Sequence, residues 1–257
     1  MLRAYLKSIA DAIRTKLGIT DTINAQEFPN KVNEVYEKGL YDRDLKIWEM
    51  FTGNNKRDNY ASTFANTDLT DYEFVKPVMV VGSAEKLFYS YYGGNFPKNI
   101  DLSNATNAAN MFGYARGAGG IYGTEGSAIF YDMKLPALSS YQSTFNNARV
   151  IKKIEILRVL ENTTFSSTFN GANNLEDITF DGKIGTNISF VNCPLNIKSI
   201  KNILLHLKDY SGTTNAGTYT LTLKDTCKTA MAELGAIPEL NNKTYTEYLA
   251  SIGWVLG

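Results

Sequence analysis

The sequence predicts an α+β protein, a short β-solenoid with N-terminal helices and a C-terminal α/β cap. Three observations carry that prediction. Apolar residues recur at helical spacing only before about residue 55 and after about residue 198. Between those points a six-residue motif repeats at intervals of 21 to 33 residues. The composition changes where the repeat begins, from charged to rich in Asn, Ser, Thr, Gly and aromatics.

Leu2, Leu6, Ile9, Ile13 and Leu17 form one apolar stripe, and Gly18 stands at the expected stop. Asn24-Ala25-Gln26-Glu27 has capping-box spacing, and Pro29 suits the first turn of a second helix carrying Val32, Val35 and Tyr36. Gly39 is expected to end it. A third helical stretch then runs from Leu40 to Phe51, broken by Gly53-Asn54-Asn55. Residues 1–55 therefore read as a helical N-terminal attachment module. A helix as short as the first is marginal in isolation, so it packs on its own neighbours, on another copy of the chain or on a different protein. A homo-oligomer is expected, with a trimer favoured.

Residues 56–198 read as the repeat region. Ser143-Thr144-Phe145-Asn146-Asn147-Ala148 is followed by Ile151, Ile154 and Ile156, and Ser167-Thr168-Phe169-Asn170-Gly171-Ala172 by Leu175, Ile178 and Phe180 at identical offsets. Partial copies begin at Ser62, Ser90 and Asn110, and a truncated one at Ser189. The aromatic anchors at 64, 91, 112, 145, 169 and 190 are separated by 27, 21, 33, 24 and 21 residues. The anchor and the residue three places later are expected to face inward. Ile154 with Ile156, and Ile178 with Phe180, are expected to form the strand of each coil.

Residues 199–257 read as a capping region, needed because a terminal coil exposes a sheet edge. Ile200, Ile203, Leu204 and Leu207 mark a helix, Tyr219 to Leu223 a strand, and helices follow at about 225–234 and 245–252 before Trp254-Val255-Leu256.

The stretch from Asn99-Ile100-Asp101-Leu102-Ser103-Asn104 to Asn110-Met111-Phe112 resembles the BspA-type leucine-rich repeat family of surface proteins, and Phe169-Asn170-Gly171-Ala172 fits the same unit. The resemblance implies a leucine-rich-repeat-like solenoid. Ile9 to Gly18 with Phe28-Pro29-Asn30-Lys31-Val32 resembles a module common in bacteriophage tail and virion-associated proteins, where it precedes variable distal domains. The part from Lys208 to Val255 resembles the cap of repeat proteins from the same phage and gut-bacterial setting. Together these resemblances imply a non-enzymatic, tail-associated structural and host-binding protein, made in a host cytoplasm and located in the virion. The implied partners are other virion proteins, through the N-terminal helices, and a host surface protein or glycan. A bacterial surface adhesin-like repeat protein and a tail polysaccharide depolymerase are the alternatives.

Charge narrows the functions further. Lys plus Arg equals Asp plus Glu at 26 each, and no basic run appears, so no nucleic-acid partner is expected. The longest apolar run, near Val78 to Val81, is too short to insert in a membrane. The start is charged and does not read as a secretory signal. The sole histidine, His206, falls off its helix's apolar stripe, and Cys193 with Cys227 makes no zinc spacing, so no catalytic residue, metal or cofactor is expected. The two cysteines either pair or stay buried and reduced. Glu155, Glu161, Glu176 and Asp177 are the carboxylates from which a glycoside-cleaving pair would be drawn.

Gly113 to Gly126 lengthens one repeat to 33 residues and carries six glycines. Such insertions often emerge on the binding face of repeat arrays. Tyr114, Arg116 and Tyr122 are its candidate binding residues, able to stack on sugars or pack on protein. A mobile loop, or one buried between identical subunits, is the competing reading.

Overall fold

The structure, a computed structural model, describes residues 2–23, 26–52, 62–66, 73–91, 96, 98–115 and 128–257. The boundary expected near residue 56 and the capping position at Asn24 lie outside these residues.

Two helices come first, α1 (Leu2–Leu17) and α2 (Phe28–Thr52). α1 ends as expected at Gly18, whose φ of +70° turns the chain out while its N–H and that of Ile19 donate to the Arg14 carbonyl. Ala10 and Ile13 are buried with Ile23, and Lys16 meets Asp42 of α2 at 3.3 Å. α2 runs unbroken through Gly39, where the sequence suggested a stop. Gly39 does not adopt positive φ, so no left-handed cap forms, and an interior glycine costs only about 1 kcal/mol against the helix formers around it.

The strands are β1 (Glu73–Ser83), β2 (Lys98–Asn107), β3 (Ala128–Phe130), β4 (Leu138–Ser140), β5 (Ile151–Thr164), β6 (Asp177–Asp181) and β7 (Ile188–Phe190). After α3 (Ile197–His206) come β8 (Tyr219–Leu223), α4 (Asp225–Glu233), α5 (Tyr245–Ser251) and β9 (Trp254–Leu256). The expected α+β architecture, one continuous solenoid with an α/β cap, is corrected by how these strands pair. Every named pairing is parallel, but the strands fall into separate sheets of two (β1–β2), four (β3, β4, β5, β6) and three (β7–β8–β9), none of them closed or solenoid-like. The class is α/β. Unequal unit lengths explain the division. β5, 14 residues long, spans both β3 and β4, which residues 131–137 separate. Beside β6 lies α3 instead of a further strand, and β7, which follows β6 in the chain, pairs with β8 in the third sheet.

Register also departs from simple alternation. Ile154 pairs with Ile178 but Leu157 with Phe180, so β5 holds one extra residue there, a bulge. Ile154, Ile178 and Phe180 are buried as expected, whereas Leu157 takes the inward place expected of Ile156, which is half-buried.

What joins the sheets is a column of phenylalanine rings. Phe64, Phe88, Phe112, Phe145, Phe169 and Phe190 stack with centroids 5.4, 5.2, 5.6, 5.7 and 4.7 Å apart and planes within 23° of parallel. The anchor of the second unit is thus Phe88, not Tyr91. Tyr91 fills the slot three places later that Ala115, Ala148, Ala172 and Cys193 fill in the other units, all of them buried. Phe96 packs edge-on against Phe88 and Phe112. Buried hydroxyls close the polar side of the core. Thr144 donates to Ala108 O (2.9 Å), Thr168 to Tyr141 O (2.7 Å), and the Tyr141 hydroxyl is placed against Arg158 O and Pro136 O.

The outer edge of β6 is met by side chains of α3. Asn196 caps that helix by accepting from Ser199 N. Ser199 Oγ then accepts from Ile178 N (2.9 Å) and Asn202 Oδ1 from Phe180 N (2.8 Å). Two strand N–H groups that a missing neighbour would leave open are satisfied this way.

Two outcomes follow for stability. Asn202→Ala strands the Phe180 N–H and should lower the unfolding free energy by about 1–3 kcal/mol in urea denaturation. Gly39→Ala, whose added Cβ meets nothing within 4 Å, should raise the helical signal in circular dichroism and stabilise by about 0.5–1 kcal/mol; a loss of helix would show that Gly39 is needed as a break.

Candidate functional site

The turns that carry the phenylalanines share one backbone path. In 62–66, 86–90, 110–114, 143–147 and 167–171 the first and fifth residues all have positive φ, between +51° and +72°. Between successive turns the N–H groups of the first, third and fifth residues donate to carbonyls of the turn that follows. Asn110, Phe112 and Tyr114 donate to Gln142, Thr144 and Asn146 at 3.0, 2.8 and 2.7 Å, and the other turns repeat the pattern.

The left-handed region favours Asn and Gly. The fifth position holds Asn66, Ser90, Tyr114, Asn147 and Gly171. Tyr114, at +58°, is the bulky exception. A side chain of that size held there costs about 1–3 kcal/mol, and conformations of that kind concentrate at sites of function. The Tyr114 ring is 41% exposed and lies 5.6 Å from the Tyr89 ring at 55°. Gly113 makes room for the pair, since a Cβ on it would come within 3.2 Å of the Tyr89 ring.

Tyr114 is therefore placed in an aromatic ledge with Tyr89, a residue the sequence reading missed. Taking Tyr91 as the anchor put Tyr89 two places before it, when in fact it directly follows the stacked Phe88. Arg116 and Tyr122, the other two candidate binding residues, lie outside the described residues, as does the chain from 116 to 127.

The carboxylates singled out for glycoside cleavage are dispersed among separate partners. Glu161 pairs with Lys208 at 2.5 Å, Glu176 with Lys152 at 3.4 Å, Asp177 accepts from Ser199 Oγ, and Glu155 accepts from Asp132 N. His206 places Nδ1 2.7 Å from Asn202 O on α3. Among the described residues no group of His, Cys, Asp and Glu could hold a metal ion. No described helix is long and apolar enough to cross a membrane. Cys193 and Cys227 are both free and buried. Burial pushes the Cys193 thiol up to about 12, with the neighbouring Cys227 adding to the shift, and burial raises Cys227 as well.

The surface of β5 carries a two-bonded ion pair. Arg158 holds Asp132 with two bonds, at 2.7 and 2.8 Å, and reaches Asp181 at 3.9 Å. The Arg158 hydrogen bond keeps the Asp132 carboxyl below the usual aspartate range.

Two small clefts meet at Phe165. One, of about 280 Å³, is lined by Thr164, Phe165, Ser166, Thr186, Asn187 and Tyr219. The other, of about 220 Å³, is lined by Phe165, Ser167, Thr168, Asn170, Ser189 and Val191. These residues come from three distant stretches; Ser167, Thr168, Asn170, Ser189 and Val191 belong to the repeat motif, and the pairing of β7 with β8 adds Tyr219 to the first cleft.

The Asp132 pair gives a pH dependence of known sign. Its folded pKa is depressed, so its stabilisation is fully present above the unfolded value and is lost as pH falls through the folded one. Arg158→Met should reduce that acid-side loss, with the Lys134 contribution to the Asp132 shift left in place, giving a flatter stability profile as pH falls below the usual aspartate range, with a difference below about 1 kcal/mol because the pair is largely solvated. Identical profiles for the two proteins would show that Arg158 does not govern Asp132.

Comparison with protein-family models, with curated proteins and with solved structures found no match to this chain.

Proposed function

We propose that the chain is a non-enzymatic, tail-associated phage virion protein that serves a structural role and binds the host surface. In this reading the N-terminal helices join it to other virion proteins as part of a homo-oligomer, with a trimer favoured, and the aromatic ledge contacts a host protein or glycan. Two kinds of support stand behind it. The virion assignment rests on the resemblance of Ile9–Gly18 and Phe28–Val32 to the tail-protein module.

The binding role rests on one observation, the Tyr89–Tyr114 pair. A half-exposed tyrosine is held in a backbone conformation that its size disfavours, at a row position where Asn or Gly stands in three of the other four turns. Rigid, amphipathic tyrosine faces give contact area at little entropic cost. Stability alone favours a small or amide residue there.

Tyr114→Asn separates the two roles. Asn suits the left-handed backbone, so the melting temperature should stay level or rise by the equivalent of up to about 1 kcal/mol. Binding of the labelled protein to host cells should fall at least about tenfold, the loss typical of a central aromatic anchor. Undiminished binding would remove the ledge from the interface. Immunogold labelling of intact particles tests the location directly: label confined to the tail supports the assignment, and unlabelled particles reject it.

A further inference from the structure

The bridging hydrogen bonds between turns give the stacked turns a direction. In each bridge an N–H points toward the following turn and a carbonyl toward the preceding one. The peptide dipoles therefore add along the stack, as they do along a helix, with the donor end at the last turn, 167–171. There Gly171 N–H finds Asn192 Oδ1 at 3.1 Å. The N–H groups of Ser167 and Phe169, whose counterparts bridge every earlier pair of turns, meet no acceptor among the described residues. Ser167 and Thr168, on either side of that backbone, line the second cleft.

The walls of both clefts carry no Lys, Arg, Asp or Glu. They are rich in donors instead. The Ser166, Ser167 and Ser189 hydroxyls are exposed. Asn187 spends its oxygen on Thr220 N (2.8 Å), which leaves its amide N–H groups for a ligand. Apolar contact comes from two places. Val191, 49% exposed, borders the second cleft. Tyr219 borders the first, its ring fixed 4.8 Å from Tyr210 and 5.9 Å from Trp254, which is the preorganised aromatic wall that a sugar ring packs against.

We propose that the two clefts form one binding site for a neutral glycan bearing acetamido groups, a chain of N-acetylhexosamine. Its uncharged character matches walls without formal charge. The acetamido carbonyl meets the donor end of the aligned peptides, the acetamido methyl packs on Val191, and a sugar face lies on Tyr219. This site is separate from the Tyr89–Tyr114 ledge and goes beyond the reading built on it.

The test uses the whole chain and three linear hexasaccharides. These are chitohexaose, cellohexaose (the same backbone with hydroxyl in place of acetamido) and hexagalacturonate, which offers a carboxylate instead. Ligand-observed NMR should show chitohexaose bound through its acetamido methyl, cellohexaose at least about fivefold weaker, and hexagalacturonate weaker than chitohexaose. Ser189→Trp, which fills the second cleft from an exposed position, should weaken chitohexaose at least about tenfold. Val191→Asn removes the methyl-binding surface with little change in volume, and serves if the tryptophan disturbs folding. Absence of chitohexaose binding at millimolar concentration overturns the proposal. So does equal binding of cellohexaose, tighter binding of hexagalacturonate, or undiminished binding by both variants. Tyr89 and Tyr114 are intact in these variants and the clefts are intact in Tyr114→Asn, so the two sites fail separately.

Discussion

The face-to-face packing of six phenylalanines sets the spacing to which the rest of the chain conforms. Their centroid separations, 4.7 to 5.7 Å, are close to the distance between hydrogen-bonded strands. One unit can therefore advance by one ring and one strand at once. Where both advances coincide, as from Phe145 to Phe169, turn bridges, strand pairing and ring stacking all agree. Each stacked pair adds about 0.5–1.5 kcal/mol beyond the area it buries, but the greater effect is positional. The rings hold the turns in line while the strands regroup into three sheets.

That constraint also explains the backbone of the turns. To carry a ring inward and still hand three N–H groups to the next turn, the chain must pass through positive φ at both ends of the turn. Ser, Asn, Lys and Gly serve at most of these places, each short enough or flexible enough to tolerate it. Tyr114 is tolerated because Gly113 clears space for the ring it leans on. The site is thus a local departure from a rule that the surrounding turns obey, supported on both sides by turns that obey it.

Much of this was legible in the sequence, and the failures have physical causes. The 145 and 169 units announced themselves because they are equal in length and pack the same residue types inward. Tyr91 misled because an aromatic sits where other units place Ala or Cys, its ring edge-on to Phe88. Ile156 misled because a one-residue bulge in β5 shifts the inward role to Leu157, and a bulge leaves no mark in an apolar run. Gly39 misled because a glycine ends a helix only if it turns left-handed. The continuous solenoid was an extrapolation from motif to sheet; the motif fixes where rings go but does not require that every unit contribute a strand to the same sheet. Of the candidate binding residues, Tyr114 drew notice through its glycine-rich neighbourhood. Phe165 and Asn187 drew none, and Ser189 and Tyr219 drew notice only as parts of a repeat copy and a strand, because the folded chain alone brings them to shared clefts.

The two buried thiols have a consequence for the life history of the chain. Burial pushes the Cys193 thiol up to about 12, which holds it protonated at neutral pH, and the thiolate is the reactive form. Cys227 points its sulfur at the Cys193 and Leu195 carbonyls, 3.5 and 3.4 Å away. Burial and the raised pKa keep both thiols protonated and shielded in the folded chain. Both sulfurs gain reactivity only when the C-terminal sheet opens, which makes their alkylation rate a clock for the opening of that region alone.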